Sequence, residues 1–257
     1  MKKLAKILSA IGFIAVMTAV PTQAQIYSPN TVGYATVTLQ PGLNWIGNPL
    51  DLTPSPNLLS AVIPTAPDGT TVSLWNSTLD QYTPSSIFTT GIGWSSDLTL
   101  NPGTGVLLDT PSQFNNLFVG TVQDLNGSIW GGGPFSEPSP FAGPSGQYLL
   151  SSKAPLALSG NVFNPALGEY SVFQSIIGRD PQTGESVTTL NPLTQTYFTT
   201  TWTGTAWNNG DPSLAVGQAA MFNIGLVPEP SALGLLALGL GLFGILRRCL
   251  RSGAAQA

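Results

Sequence analysis

The chain has no histidine, a single cysteine (Cys249) and, across 257 residues, only 8 % charged side chains. Without histidine there is no Ser-His-Asp or Cys-His triad and no imidazole-ligated metal. With one cysteine there is no internal disulfide framework and no cysteine-based zinc site. An ordinary soluble domain carries about 25 % charged residues, so this composition is also far from charge-rich disorder. Basic residues are scarcest in the middle of the chain. Between residues 25 and 226 only Lys153 and Arg179 stand against eleven Asp and Glu, a formal charge of −9 for that stretch. Phosphate binding needs clustered Lys and Arg, so nucleic acid is excluded as a partner. The acidic surplus reads first as solubility, with loose binding of divalent cations as the other use.

The remaining basic residues lie at the two ends, and both ends are greasy. Lys2, Lys3 and Lys6 precede an apolar run over 7–20, Pro21 breaks it, and Thr22-Gln23-Ala24 places small residues before a cut. This is the layout of a secretory signal peptide. The spacing predicts cleavage between Ala24 and Gln25, leaving a mature chain that starts at Gln25. Export agrees with a body free of cysteine.

At the other end, Val227-Pro228-Glu229-Pro230-Ser231 leads into an apolar Gly/Leu-rich run over 232–246, followed by Arg247-Arg248-Cys249-Leu250-Arg251 and a short tail over 252–257. Fifteen residues of helix at ~1.5 Å each span roughly 23 Å, short of the ~30 Å hydrocarbon core. Such a marginal span suits a transient anchor. Arg247, Arg248 and Arg251 act as a basic stop that stays cytoplasmic, so the body faces the far side of the membrane. The three parts in this order resemble the PEP-CTERM sorting signal. The resemblance covers the last 30 or so residues. It implies recognition by an exosortase, an integral-membrane protease and transpeptidase, with processing near Pro228, Glu229 and Pro230. A plain tail anchor is the alternative use of the same residues.

The body, 25–226, shows no long stretch of helical spacing. It shows short strand-like runs, among them 35–39, 72–75, 105–108, 117–122 and 147–151. Turn signals separate them: Pro41-Gly42, Asp68-Gly69, Pro102-Gly103, Asn126-Gly127 and Asn209-Gly210. The runs also recur. Gly42-Leu43-Asn44-Trp45-Ile46-Gly47 parallels Gly146-Gln147-Tyr148-Leu149-Leu150-Ser151. Gly69-Thr70-Thr71-Val72 parallels Gly184-Glu185-Ser186-Val187, and 100–108 runs beside 214–222. Asn76 with Tyr82 matches Asn191 with Tyr197, and Trp94 matches Trp207. Each unit has one short helix, expected to begin near Pro56 and near Pro165.

The fold expected is therefore mainly β, with two tandem β-rich repeat units in a sandwich-like body. An N-terminal signal helix and a C-terminal membrane helix flank it. The division reads 1–24 signal peptide, 25–122 first unit, 123–143 Gly/Pro-rich linker, 144–226 second unit and 227–251 sorting signal. The pattern resembles a duplicated β-rich body that recurs in exported envelope proteins, which implies architecture and no chemistry.

Few residues in the body suggest chemistry. Ser151-Ser152-Lys153 puts hydroxyls beside the only lysine, but a Ser-Lys dyad needs that lysine desolvated and in reach. The acids are scattered singly beside turn residues, as in Asp68-Gly69 and Asp180-Pro181, rather than paired for glycoside hydrolysis. Arg179, Asp180 and Glu185 predict a surface ion pair of little worth. The Thr-rich run over 199–205 reads as a β-strand. The tryptophans, with Tyr34, Tyr82, Tyr148, Tyr170 and Tyr197, are the other candidates for binding: they suit a sugar-stacking platform as well as a core, and Trp130, in the linker, is the one expected to be exposed.

These readings predict a non-enzymatic exported protein of the cell envelope or extracellular matrix, sorted through its tail and needing no cofactor or metal. Its expected partners are an exosortase and the inner membrane in transit, and matrix polysaccharide afterwards. Its expected location is a transient inner-membrane anchor, then the cell surface or the medium. The alternative is a carbohydrate-binding module acting on matrix polysaccharide.

Overall fold

The computed structural model describes residues 32–127, 140–160, 164 and 168–225. The signal peptide with its Ala24–Gln25 cut, Trp130 and most of the linker, and the whole sorting tail lie outside them. In chain order the described elements are β1 (Val32–Leu39), β2 (Gly42–Gly47), α1 (Leu59–Val62), β3 (Thr71–Asn76), β4 (Gln81–Tyr82), β5 (Ser86–Thr89), β6 (Gly93–Trp94), β7 (Gly105–Thr110), β8 (Phe114–Thr121), β9 (Gly146–Ser151), β10 (Leu158–Ser159), α2 (Val172–Ile177), β11 (Ser186–Asn191), β12 (Thr196–Thr201), β13 (Ser213–Leu214) and β14 (Ala219–Ile224). The protein is mainly β, in several antiparallel sheets. One has the order β2-β7-β3-β5-β6 with β4 beside β3; a second has the order β12-β11-β14-β9; β1-β8 and β10-β13 are two-stranded ribbons.

Alternation explains the strands. In β1 the residues Ala35 and Val37 face a core while Tyr34, Thr36 and Thr38 face out, one period per two residues. The first core gathers Leu39, Ile46, Leu50, Leu59, Ile63, Val72, Leu108 and Phe118 around α1. The second gathers Leu158, Val172, Phe173, Ile177, Val187, Trp207 and Phe222 around α2. Each such side chain contributes about 1.5–3 kcal/mol relative to exposure. Asp124 and Leu125 are buried, so the chain stays packed through the first residues of the 123–143 segment.

Helix α1 starts at Leu59, close to the expected Pro56, while Pro165 lies outside the described residues. Helix α2 begins at Val172, where Ser171 is its N-cap and accepts from Gln174 N at 3.3 Å. Gly178 closes it in the left-handed region at φ 76°. Helix α1 has no side-chain cap of its own. Asp97, from the loop before β7, binds Ser60 N at 2.8 Å and Ser60 Oγ at 2.7 Å instead.

Two ladders share a register. β2 pairs β7 from Gly42↔Thr110 to Gly47↔Gly105, and β9 pairs β14 from Gly146↔Ile224 to Ser151↔Ala219. β3 pairs β7 with Val72↔Leu108, and β11 pairs β14 with Val187↔Phe222. The hairpins after β3 and β11 place Trp75 opposite Tyr82 and Leu190 opposite Tyr197. In each hairpin an asparagine side chain accepts two backbone N–H groups: Asn76 from Thr78 and Leu79 at 3.0 and 3.1 Å, Asn191 from Leu193 and Thr194 at 3.0 and 3.3 Å. Asp80 and Gln195 both close their turns at φ 55°.

The halves meet where the matched ladders end. Gly47 N donates to Gly217 O at 3.0 Å, and Ser151 N donates to Gly103 O at 3.1 Å. Isolated bridges join Ile46 to Gln218 and Thr104 to Leu150. A third core of Trp45, Leu149, Leu190 and Ala219, flanked by Trp75, Tyr82 and Met221, fills the junction. The Gly47–Gly105 pair makes the notch that admits it: a Cβ on Gly105 would lie 2.8 Å from Leu149 Cγ and 2.9 Å from Ala219 Cβ.

Candidate functional site

The body ends on an interior strand. β14 lies between β11 and β9, and the residue after it, Gly225, donates its N–H to Glu185 Oε1 at 2.9 Å. Glu185 is 2 % exposed and accepts from Arg179 Nη2 at 2.6 Å, Arg179 Nη1 at 2.8 Å and Gln182 N at 2.7 Å. Arg179 also lies 5.5 Å over the Phe173 ring. The loose surface ion pair expected from Arg179, Asp180 and Glu185 is thus a buried bidentate clamp, and Asp180 takes no part in it through its carboxylate, which accepts from Gln174. The difference arises because Glu185 sits just before β11, where four N–H donors from three residues converge on it. Pro228, Glu229 and Pro230 follow Gly225 after only Leu226 and Val227. That motif and the basic stop Arg247, Arg248 and Arg251 lie outside the described residues.

The described tryptophans serve the interior. Trp45 and Trp207 are buried, and Trp75, Trp94 and Trp202 are half-buried. Their indole N–H groups reach inward: Trp45 to Tyr82 Oη at 2.9 Å, Trp75 to Gln147 O at 2.8 Å, Trp94 to Ile63 O at 2.8 Å. Trp202 and Trp207 stack edge to face at 5.4 Å. Trp45 and Trp207 fill the core and cannot also lie flat under a pyranose, whereas Trp75, Trp94 and Trp202 keep part of their surface in solvent. Trp130 is outside the described residues. Burial pushes the Tyr82 phenol up to about 12, against the lowering hydrogen bond from Trp45 and with a further rise from Tyr197. Four exposed apolar side chains lie together on one face of the β1-β8 ribbon, where Val32, Tyr34, Leu117 and Val119 are 52, 72, 53 and 38 % exposed, while others such as Leu79, Ile92 and Leu193 stand in turns.

The polar candidates separate. Ser152 Oγ accepts from Ala154 N at 3.1 Å and Ser151 Oγ leans on Thr104 O at 3.4 Å, while Lys153 bonds to neither serine. Asp51 is a structural acid: burial opposes its charge, but hydrogen bonds from Asn57 and Thr53 outweigh burial and hold the carboxyl below its usual range. Among the described residues no three His, Cys, Asp or Glu side chains converge to hold a metal. Two clefts flank the junction. One, about 250 Å³, lies between Val37–Ile46 side chains and the 215–218 turn. The other, about 290 Å³, lies between the 102–104 turn, Phe141, Lys153 and Ser175. A third, about 450 Å³ and shallower, runs along Thr196 and Phe198. None of the three is lined by Asp or Glu.

Sequence reasoning missed Gln195 and Ser175. Gln195 clips the outer edge of β2, accepting from Leu43 N at 2.8 Å and donating to Leu43 O at 3.1 Å. Its only signal was a position matching Asp80. Nothing in the sequence marks Ser175.

Compared with known proteins, residues 226–252 match the PEP-CTERM protein-sorting motif. No curated protein matches the chain, and no solved structure matches it. Among the described residues no helix is long and apolar enough to cross a membrane.

Proposed function

We propose that the chain is an exported protein without enzymatic activity, whose β body is delivered to the cell envelope or the extracellular matrix by exosortase processing of its tail. The sorting motif at 226–252, following directly on a folded body, carries this reading. The apolar run 232–246 then serves as a brief span, with Arg247, Arg248 and Arg251 on the cytoplasmic side, and the signal peptide is removed at Ala24–Gln25. The body itself is read as one duplicated unit, supported by the shared ladder registers and the twin asparagine turns. Reciprocal hydrogen bonds of the kind made by two-fold-related surfaces join its halves.

The test is expression in an exosortase-positive host and in the same host lacking that enzyme, with the C-terminal peptide followed by mass spectrometry. Loss of the tail only when the enzyme is present is the expected result. An identical C-terminus in both hosts refutes exosortase sorting.

A further inference from the structure

The two junction clefts occupy matching places, since each is walled by the turn of one half (102–104 or 215–218) and the first ladder strand of the other. Their chemistry differs. In the first cleft the amides are spent on backbone. Asn44 donates to Gln40 O and Gly42 O at 2.8 and 2.9 Å, and Gln218 donates to Leu190 O at 3.2 Å while accepting from Ala215 N at 3.0 Å. In the second, two groups are left over. Ser175 is 3 % exposed, and its hydroxyl is the one buried side-chain polar atom without a partner among the described residues. An unmatched buried hydroxyl is costly to leave so. Lys153, on the wall of the same cleft, makes no ion pair or hydrogen bond among the described residues. Its stem lies over Gly103, where a Cβ would come 3.0 Å from Lys153 Cγ, and beside Gly127, at 3.8 Å from Cδ. Both glycines are held at positive φ by their turns, 92° and 89°. The other cation of the described residues, Arg179, is consumed by Glu185.

From these observations we propose that the cleft walled by Lys153 and Ser175 binds a small carboxylate-bearing ligand, Lys153 supplying the charge and the Ser175 hydroxyl a hydrogen bond. Phe141, Pro102, Pro140 and Ile176 provide an apolar wall for its carbon frame. A single unpaired ammonium in a body of net charge −9 matches a monoanion and not a phosphate dianion. A volume of about 290 Å³ admits one sugar ring or a short organic acid. The site lies in the body and does not depend on how the tail is processed.

Full-length protein in detergent micelles is titrated with glucuronate, glucose, acetate and inorganic phosphate, by calorimetry and ligand-observed NMR. Saturable glucuronate binding near the millimolar range (about −4 kcal/mol) is expected, with glucose at least ~10-fold weaker. Lys153→Met should lose roughly tenfold or more, Lys153→Arg should retain binding, and Ser175→Ala should lose a few-fold while unfolding no earlier than wild type. Acetate binding as tightly as glucuronate assigns the site to free organic acids; acetate binding much more weakly assigns it to uronic sugars. No saturation by glucuronate or acetate at about 10 mM, equal binding of glucose, tighter binding of phosphate, or undiminished binding by a folded Lys153→Met protein overturns the proposal.

Discussion

Replacing Gly47 by alanine should prise the two halves apart at a known point. The added Cβ would fall well inside contact distance of Ser151 Oγ and Cβ, and 3.1 Å from Thr104 O. The neighbours cannot simply swing away, because Ser151 belongs to β9 and its own N–H is bonded to Gly103 O at 3.1 Å. β2 and β9 must separate by roughly 1 Å or more to restore ordinary contact. Overpacking of this kind costs about 1–3 kcal/mol. Stretching the Gly47–Gly217 and Ser151–Gly103 hydrogen bonds adds about 0.5–1.5 kcal/mol each if they are lost. The gain from removing a glycine from a strand offsets about 0.5–1 kcal/mol. The net loss lies in the range of about 1–5 kcal/mol and centres near ~3 kcal/mol, or ~6–12 °C in unfolding midpoint for a body of this size. Urea or thermal unfolding of the full-length protein in mild detergent, followed by tryptophan fluorescence, measures it, because Trp45 and Trp75 pack in the same junction. Ser151→Gly empties the space the new methyl needs, so the Gly47→Ala, Ser151→Gly double variant should recover at least about 1.5 kcal/mol relative to the sum of the singles. A single variant that unfolds with wild type, or a double variant as weak as the sum, refutes this account of how the halves dock.

Other outcomes follow from particular contacts. Gln195→Ala removes both bonds to the Leu43 backbone and should cost about 1–2 kcal/mol, with the Leu43 amide gaining more hydrogen exchange than other β2 amides. Glu185→Ala leaves the half-buried Arg179, Gln182 N and Gly225 N without their acceptor and should cost about 1.5–3 kcal/mol by urea titration, with Glu185→Gln milder. The raised Tyr82 phenol gives an alkaline limb. The unfolded chain loses this proton near 10 and the folded protein near 12, so stability holds below 10 and falls as pH rises from 10 to 12, and Tyr82→Phe should flatten that limb. Asp51 works in the opposite sense: its contribution is present above 3.8 and is lost as pH falls through its lowered folded value, so Asp51→Asn should shrink the acid limb of a pH–stability curve.

What the amino-acid sequence determined alone was everything carried by local order. The sorting motif is a run of residue types along one short stretch, so it was readable without a fold. The strands around Val72, Leu107 and Leu149 were readable because a two-residue period and flanking turn glycines act within a few residues. The tertiary structure decided which side chains were spent. Burial took Trp45 and Trp207 into the core, turned a weak-looking Arg179–Glu185 pair into a clamp on Gly225, and set a serine of α2 on the cleft wall that carries Lys153. Those outcomes depend on segments far apart in the chain meeting across the junction, and no spacing along the sequence encodes the distance between a lysine after β9 and a hydroxyl on α2.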